Sequence, residues 1–209
     1  MSHSPSDQPS RAPADDAALS GLLAFLRSAE ALKVQHRSGR TSDGAPESVA
    51  AHSWRLALAA IVLGDALGDH DRLRLLELCI VHDLGEALSG DTPATDQRPD
   101  DGRAARERAD LVTLCAPLAE PVRARLLSAY DEYEAGATRE AVLAKALDKI
   151  ETILQHLQGA NGPDFDHAFN LGYARARTDA HPVTARLRAL VDAETRALAQ
   201  VPSPRPRAP

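Results

Sequence analysis

Apolar positions recur at helical spacing through most of the chain. The clearest case is AVLAKALDKIETILQHL, in which Leu143, Ala144, Leu147, Ile150 and Leu154 fall on one stripe. The same reading predicts helices over 15–34, 46–67, 71–86, 102–115, 120–135, 139–158, 164–178 and 182–200. Pro46 sits just inside a helix start, with Glu47 and Ser48 in the first turn. A loop is expected across 90–100, and Gly159 to Pro163 breaks the pattern. There is no strand-like alternation and no internal repeat. The expectation is an all-α domain of seven to eight helices over 15–200. It is flanked by a Pro/Ser/Asp-rich tail at 1–14 and a Pro/Arg tail at 201–209, both expected to be disordered.

Composition sharpens this. At 209 residues one domain is the natural size. Hydrophobic residues make up 44% but aromatics only 3%, so the core is built from Leu, Ala, Val and Ile, which again favours helices. Trp54 is expected in that core. A net charge of −6, without a basic face or an aromatic platform, speaks against a nucleic-acid partner. Cys79 and Cys115 lie in apolar stretches and read as small reduced core fillers. No apolar run stands out as membrane-spanning, and the N-terminus has no apolar signal core. A cytoplasmic protein without membrane contact is expected.

The candidate chemistry lies in VHDLGEALSGDTP at 81–93. His82 and Asp83 are neighbours, so on a helix they point about 100° apart. They share one metal only where it sits off the helix end or in a cleft beside it. His52 and Asp148 are placed to supply the remaining ligands from other helices. His52 lies with Leu56, Ala59, Ala60 and Leu63 near one face, and Asp148 lies beside the apolar stripe of its helix. A carboxylate carried that close to a core needs a cation or hydrogen bonds. Two imidazoles and two carboxylates suit one divalent ion of borderline-to-hard character.

The strings PESVAAHSW, CIVHDLGEALSGDTP, EYE at Glu132 to Glu134 and KALDKIETILQ occur in this order between about residues 21 and 159. Together they resemble the HD-domain phosphohydrolases, and among these the 5'-deoxynucleotidase group. The resemblance implies an all-helical fold, metal ligands at His52, His82, Asp83 and Asp148, and acid/base residues at Glu86 and Asp91. The last two also make sense by position. Glu86 follows His82 by four residues and Asp83 by three, and Asp91 follows Gly90 in a short turn. In LKVQHRSGR at 32–40, Arg37 matches the family's phosphate-contacting arginine, and Arg40 is a second candidate substrate contact. Relatives usually carry a Trp in this loop; here Ser38, Gly39 and Arg40 stand instead.

The implied activity is hydrolysis of (deoxy)nucleoside 5'-monophosphates to nucleoside and phosphate. Additional histidines at suitable spacing are missing, so one ion per subunit is expected, Mn²⁺ or Co²⁺ ahead of Mg²⁺. His156 reads as structural or surface, His36 borders the basic loop, and His3, His70, His167 and His181 read as exposed or capping. A homodimer is expected by analogy. Arg40 and the missing Trp support an alternative substrate, a nucleoside triphosphate or a specialised nucleotide. A di-iron oxygenase conflicts with the histidine count. A non-catalytic nucleotide-binding protein has no need of all six site residues.

Overall fold

The computed structural model describes residues 15–98 and 101–200; both tails lie outside the described residues. The first helix, α1 (Asp16–Ala29), is capped by Asp15, whose carboxylate accepts from the Ala18 amide at 2.7 Å, and it runs into a 3-10 turn, Glu30–Lys33.

Two short strands follow where none was expected. β1 (His36–Arg40) and β2 (Pro46–Ser48) pair antiparallel, with His36 opposite Ser48 and Arg40 opposite Pro46. Pro46 therefore opens a strand, where a missing N–H is tolerated, and does not start a helix. The helix cap is Ser48, which accepts from the Ala51 amide at 3.1 Å. A three-residue strand is too short to show alternation, although Glu47 points in and Pro46 out.

Helix α2 (Val49–Leu63) ends in a 3-10 turn, Gly64–Leu67. One face buries Val49, His52, Leu56 and Ala60. The opposite face leaves Trp54 63% exposed, so Trp54 is not a core residue, and Leu58, Ile61 and Val62 are exposed with it. Contrary to the sequence reading, Val49–Leu67 is by length and composition apolar enough to cross a membrane. In this fold it packs on the third and seventh helices and carries a buried histidine.

Helix α3 (Arg72–Val81) is capped by Asp71 and stops at His82, several residues before the predicted end. A turn then leads to a single helical turn, α4 (Glu86–Ser89). In that turn the chain comes close to a neighbour: a Cβ on Gly85 would lie 2.3 Å from the Glu107 carbonyl oxygen. Gly90, at φ 79°, reverses the chain after α4.

Helices α5 (Arg103–Cys115) and α6 (Glu120–Ala135) lead to α7 (Arg139–Gln158), which packs against α2, α3, α6 and the C-terminal helix. Leu143 and Leu147 of α7 meet Leu56, Leu75, Leu78 and Leu111 in the core, and both cysteines are buried and free. The predicted helix at 164–178 is instead two single turns, α8 (Phe169–Gly172) and α9 (Arg175–Thr178), before α10 (Pro182–Ala199). Among the described residues, seven helices have ten residues or more, in line with the expected number.

Candidate active site

Four elements converge on one point. His52 comes from the first turn of α2, His82 caps α3, Asp83 sits in the turn after it, and Asp148 comes from the buried face of α7. The end of α3 resolves the angular problem of adjacent ligands. The helix stops at His82, so Asp83 Oδ2 turns to within 3.1 Å of His82 Nε2 and 3.8 Å of His52 Nε2. Asp148 Oδ1 is 3.4 Å from His52 Nε2.

The distal nitrogens are held away from this point. His82 Nδ1 lies 3.0 Å from the Cys79 carbonyl, which can only accept, so Nδ1 carries the proton and Nε2 faces the cluster with a lone pair. His52 Nδ1 is bound to the Glu151 carboxylate, which Arg55 fixes in turn through Nε at 2.7 Å. Carboxylate or carbonyl behind imidazole is the arrangement that orients metal-ligating histidines. Tyr133 donates to Asp148 Oδ2 at 2.7 Å. That leaves His52 Nε2, His82 Nε2 and Asp148 Oδ1 buried without a hydrogen-bond partner; ligand atoms of His52, His82 and Asp83 lie within 4.8 Å of one another, and Asp148 Oδ1 is 3.4 Å from His52 Nε2. Buried polar atoms seldom stay unpaired, and these are donors to a cation. The residues present fit a divalent metal.

Electrostatics agree. Burial is the largest influence on Glu86 and pushes its carboxyl up to about 10, with Asp83 and Asp91 adding to it. Asp91 is also raised, first by burial and then by Asp83, against the pull of Arg37. Burial would raise Asp83 and Asp148 too, but their neighbours offset it: His82 and Arg37 hold Asp83 down, and Lys149 with the histidines holds Asp148 well down. Burial and Arg37 oppose a charged His52, yet Glu151 and Asp148 lift it to about 9.

A cavity of about 370 Å³ opens over these groups and takes in His82, Asp83, Asp148, Glu86, Asp91 and Arg37. Arg37 reaches Asp83 at 3.0 Å and Thr152 at 3.1 Å, with Glu47 3.9 Å behind it. Arg40 is placed differently. It does not line the cavity, and its guanidinium donates to the Gly44 carbonyl at 2.8 Å. His36 is exposed outside it, whereas His156, read as structural or surface, is buried and lines the wall between Ser38 and Asn170. His181 caps α10 as expected, and His3 lies outside the described residues. Sequence reasoning assigned no role to Glu151, Tyr133, Thr152, Lys149 or Glu47. Spacing carries a signal for Glu151, which follows Asp148 by one helical turn on the same face.

Comparison with known proteins places these observations. Residues 29–187 match the family model described as HD domain. The mouse protein called 5'-deoxynucleotidase HDDC2 is 36% identical over 137 residues, covering 65% of this chain and 68% of that protein. A crystal structure from Magnetospirillum magnetotacticum, described as a predicted metal-dependent phosphohydrolase, superposes with a TM-score of 0.74 at 27% identity, over 90% of this chain and all of that one. A cyanophage HD phosphohydrolase, described as bound to dA and one catalytic Zn²⁺ ion, shares the fold at 21% identity and a TM-score of 0.52, over 83% of this chain and 95% of that one.

Proposed function

The chain belongs to the HD domain family, and on that footing we propose that it is a metal-dependent phosphomonoesterase releasing phosphate from (deoxy)nucleoside 5'-monophosphates. The observation that carries the reading is the set of buried, unpartnered atoms on His52, His82 and Asp148, with Asp83 beside them and both histidines tied back through Nδ1. His52, His82, Asp83 and Asp148 hold one divalent ion per chain. Mixed nitrogen and oxygen donors favour Mn²⁺ or Co²⁺ over Mg²⁺. When bound, such an ion neutralises charge on phosphoryl oxygens and makes water a better nucleophile.

The residues do the rest. Arg37 stands beside Asp83 with a planar fork that can take two phosphoryl oxygens. Asp91, half-buried at the cavity wall, takes the proton of the attacking water. Glu86, lifted to about 10, keeps a proton at neutral pH and gives it to the departing 5'-oxygen. The new oxygen–phosphorus bond forms as the ester bond breaks, leaving nucleoside and phosphate. Three further cations of the cavity already have carboxylate partners: Arg103 with Glu107, Lys145 with Glu134 and Lys149 with Asp148.

The exposed apolar stripe Trp54, Leu58, Ile61 and Val62 on α2 supports a homodimer. The free Cys79 and Cys115 fit a reducing cytoplasm. The test is Glu86→Gln. It should keep its metal while phosphate release falls at least about 100-fold; full activity in that variant removes Glu86 from the chemistry.

A further inference from the structure

The cavity has a wall that the phosphate chemistry does not use. Tyr173, Ala174 and Arg177, all C-terminal to the ligand helix α7, line it together with Arg37. The segment that carries them is unusually constrained. Ala174 is at φ 51°, and among the described residues no other non-glycine residue has a positive φ. An alanine pays for that conformation, and such strain persists where the surroundings over-determine it.

Here the surroundings are one buried arginine. Arg188 of α10 donates to the carbonyls of Asn170, Leu171 and Tyr173 and to the Thr178 hydroxyl, at 2.6 to 3.2 Å. Its own charge is met by Asp192 at 2.6 Å, and both residues are 1% exposed. A buried ion pair is weak support for stability because desolvation offsets most of its attraction. What this one does is hold the backbone of residues 170–178 in a single shape.

The cavity also has little else for an apolar ring to lie against. Besides the imidazoles of His82 and His156, Tyr133 is the other aromatic side chain lining it, and Tyr133 is buried with its hydroxyl committed to Asp148. Tyr173 is half-buried, is backed by Phe169 at a centroid distance of 5.4 Å, and its hydroxyl has no hydrogen-bond partner among the described residues. Lys149 spans the gap. Its ammonium is 2.8 Å from Asp148 and 5.8 Å from the centre of the Tyr173 ring, so the tyrosine stands one side chain away from the ligand cluster.

We propose that Tyr173 is a specificity-determining residue: the clamped 170–178 wall receives the nucleobase end of the substrate while Arg37 and the ligand cluster receive the phosphate. This rests on the phosphomonoesterase reading for the phosphate end only. The alternative of further phosphates on this wall is disfavoured by charge. Lys145 and Lys149 are already paired, and Arg177 alone of the wall's cations has no ion pair among the described residues.

Because Arg188 grips the backbone carbonyl of Tyr173 and not its ring, Tyr173→Ala should keep the fold. The experiment compares wild type, Tyr173→Ala and Tyr173→Phe on deoxyadenosine 5'-monophosphate and on deoxyribose 5-phosphate, which has the same ester and no base. Calorimetric binding of deoxyadenosine, which has no phosphate, is measured alongside. Aromatic contacts to bases are worth roughly a tenfold effect on truncation. Tyr173→Ala should therefore raise KM for the nucleotide about tenfold and weaken nucleoside binding similarly, with deoxyribose 5-phosphate hydrolysis within about twofold of wild type. Tyr173→Phe should recover most of the loss. Equal losses on both esters, or no loss on either, overturn the proposal, as does nucleoside binding that Tyr173→Ala leaves unchanged. If wild type cleaves neither ester, the phosphomonoesterase reading fails by itself, and Tyr173-dependent nucleoside binding still upholds the wall.

Discussion

At the scale of single residues, the site is a set of histidines whose usefulness depends on what stands behind them. Glu151 is the sharpest case. It binds His52 Nδ1 and is itself gripped by Arg55, so Glu151→Gln should leave the fold intact yet lower metal affinity by about 10- to 100-fold. Metal titration monitored by bound-ion content checks this. His82→Ala and Asp83→Ala, which remove donors outright, should lose both metal and phosphate release. Glu47 makes a different prediction. Burial, and next the Glu151 carboxylate, push it up from 4.5 to about 7, against the pull of His52, Arg37 and Arg55. The folded protein then holds that proton more tightly than the unfolded chain, so its contribution to stability is lost as pH rises from 4.5 through about 7. Glu47→Gln should flatten the difference in denaturation midpoint between about pH 5 and about pH 8.

His52, His82, Asp83 and Asp148 were legible in the sequence because spacing and neighbouring strings mark residues that must meet. Glu151 and Tyr133 lie inside those same strings but act through the residues they support, and nothing in a residue's identity tells a supporting carboxylate from a solvated one. The placement of Arg40 turns on a hydrogen bond to Gly44, which only the folded hairpin reveals.

At the scale of elements, helices with strong apolar periodicity were read to within a residue or so. α6 and α7 begin and end where the pattern does. The misread elements are those where tertiary contact overrides local preference. Pro46 looks like a helix start, yet β1 pairs with it and Ser48 takes the cap. The predicted helix over 71–86 ends at His82, and just past that end Gly85 lets α5 come close. That break delivers Asp83 and Glu86 to the site, so Gly85→Ala should do double damage. It should destabilise the fold by about 1–3 kcal/mol, from a Cβ driven into backbone, and should lower activity beyond what the loss of folded protein explains. Chemical denaturation together with activity per folded molecule measures both. The wall at 164–178 was read as one helix because its composition permits one; Arg188, far along the chain, is what bends it into two turns around Ala174.

At the scale of the whole molecule, the bundle brings four sequence-distant segments to one cavity and leaves an apolar stripe on α2 facing out. Trp54 was expected inside on grounds of hydrophobicity, and its exposure together with Ile61 and Val62 is a property of the assembled surface. If two copies cover that stripe, light scattering should report twice the 22.3 kDa of one chain, and Ile61→Glu should halve the mass without loss of helicity. A single-chain mass for wild type contradicts the dimer.

One metal held by His52, His82, Asp83 and Asp148 is expected to drive monophosphate hydrolysis. The most direct measurement is phosphate release by metal-stripped protein reloaded with Mn²⁺, Co²⁺ or Mg²⁺, on matched ribo- and deoxyribonucleoside 5'-mono- and triphosphates. No release is expected without metal, with restoration by Mn²⁺ or Co²⁺ and a preference for monophosphates. Metal-independent release, or release from triphosphates alone, contradicts it.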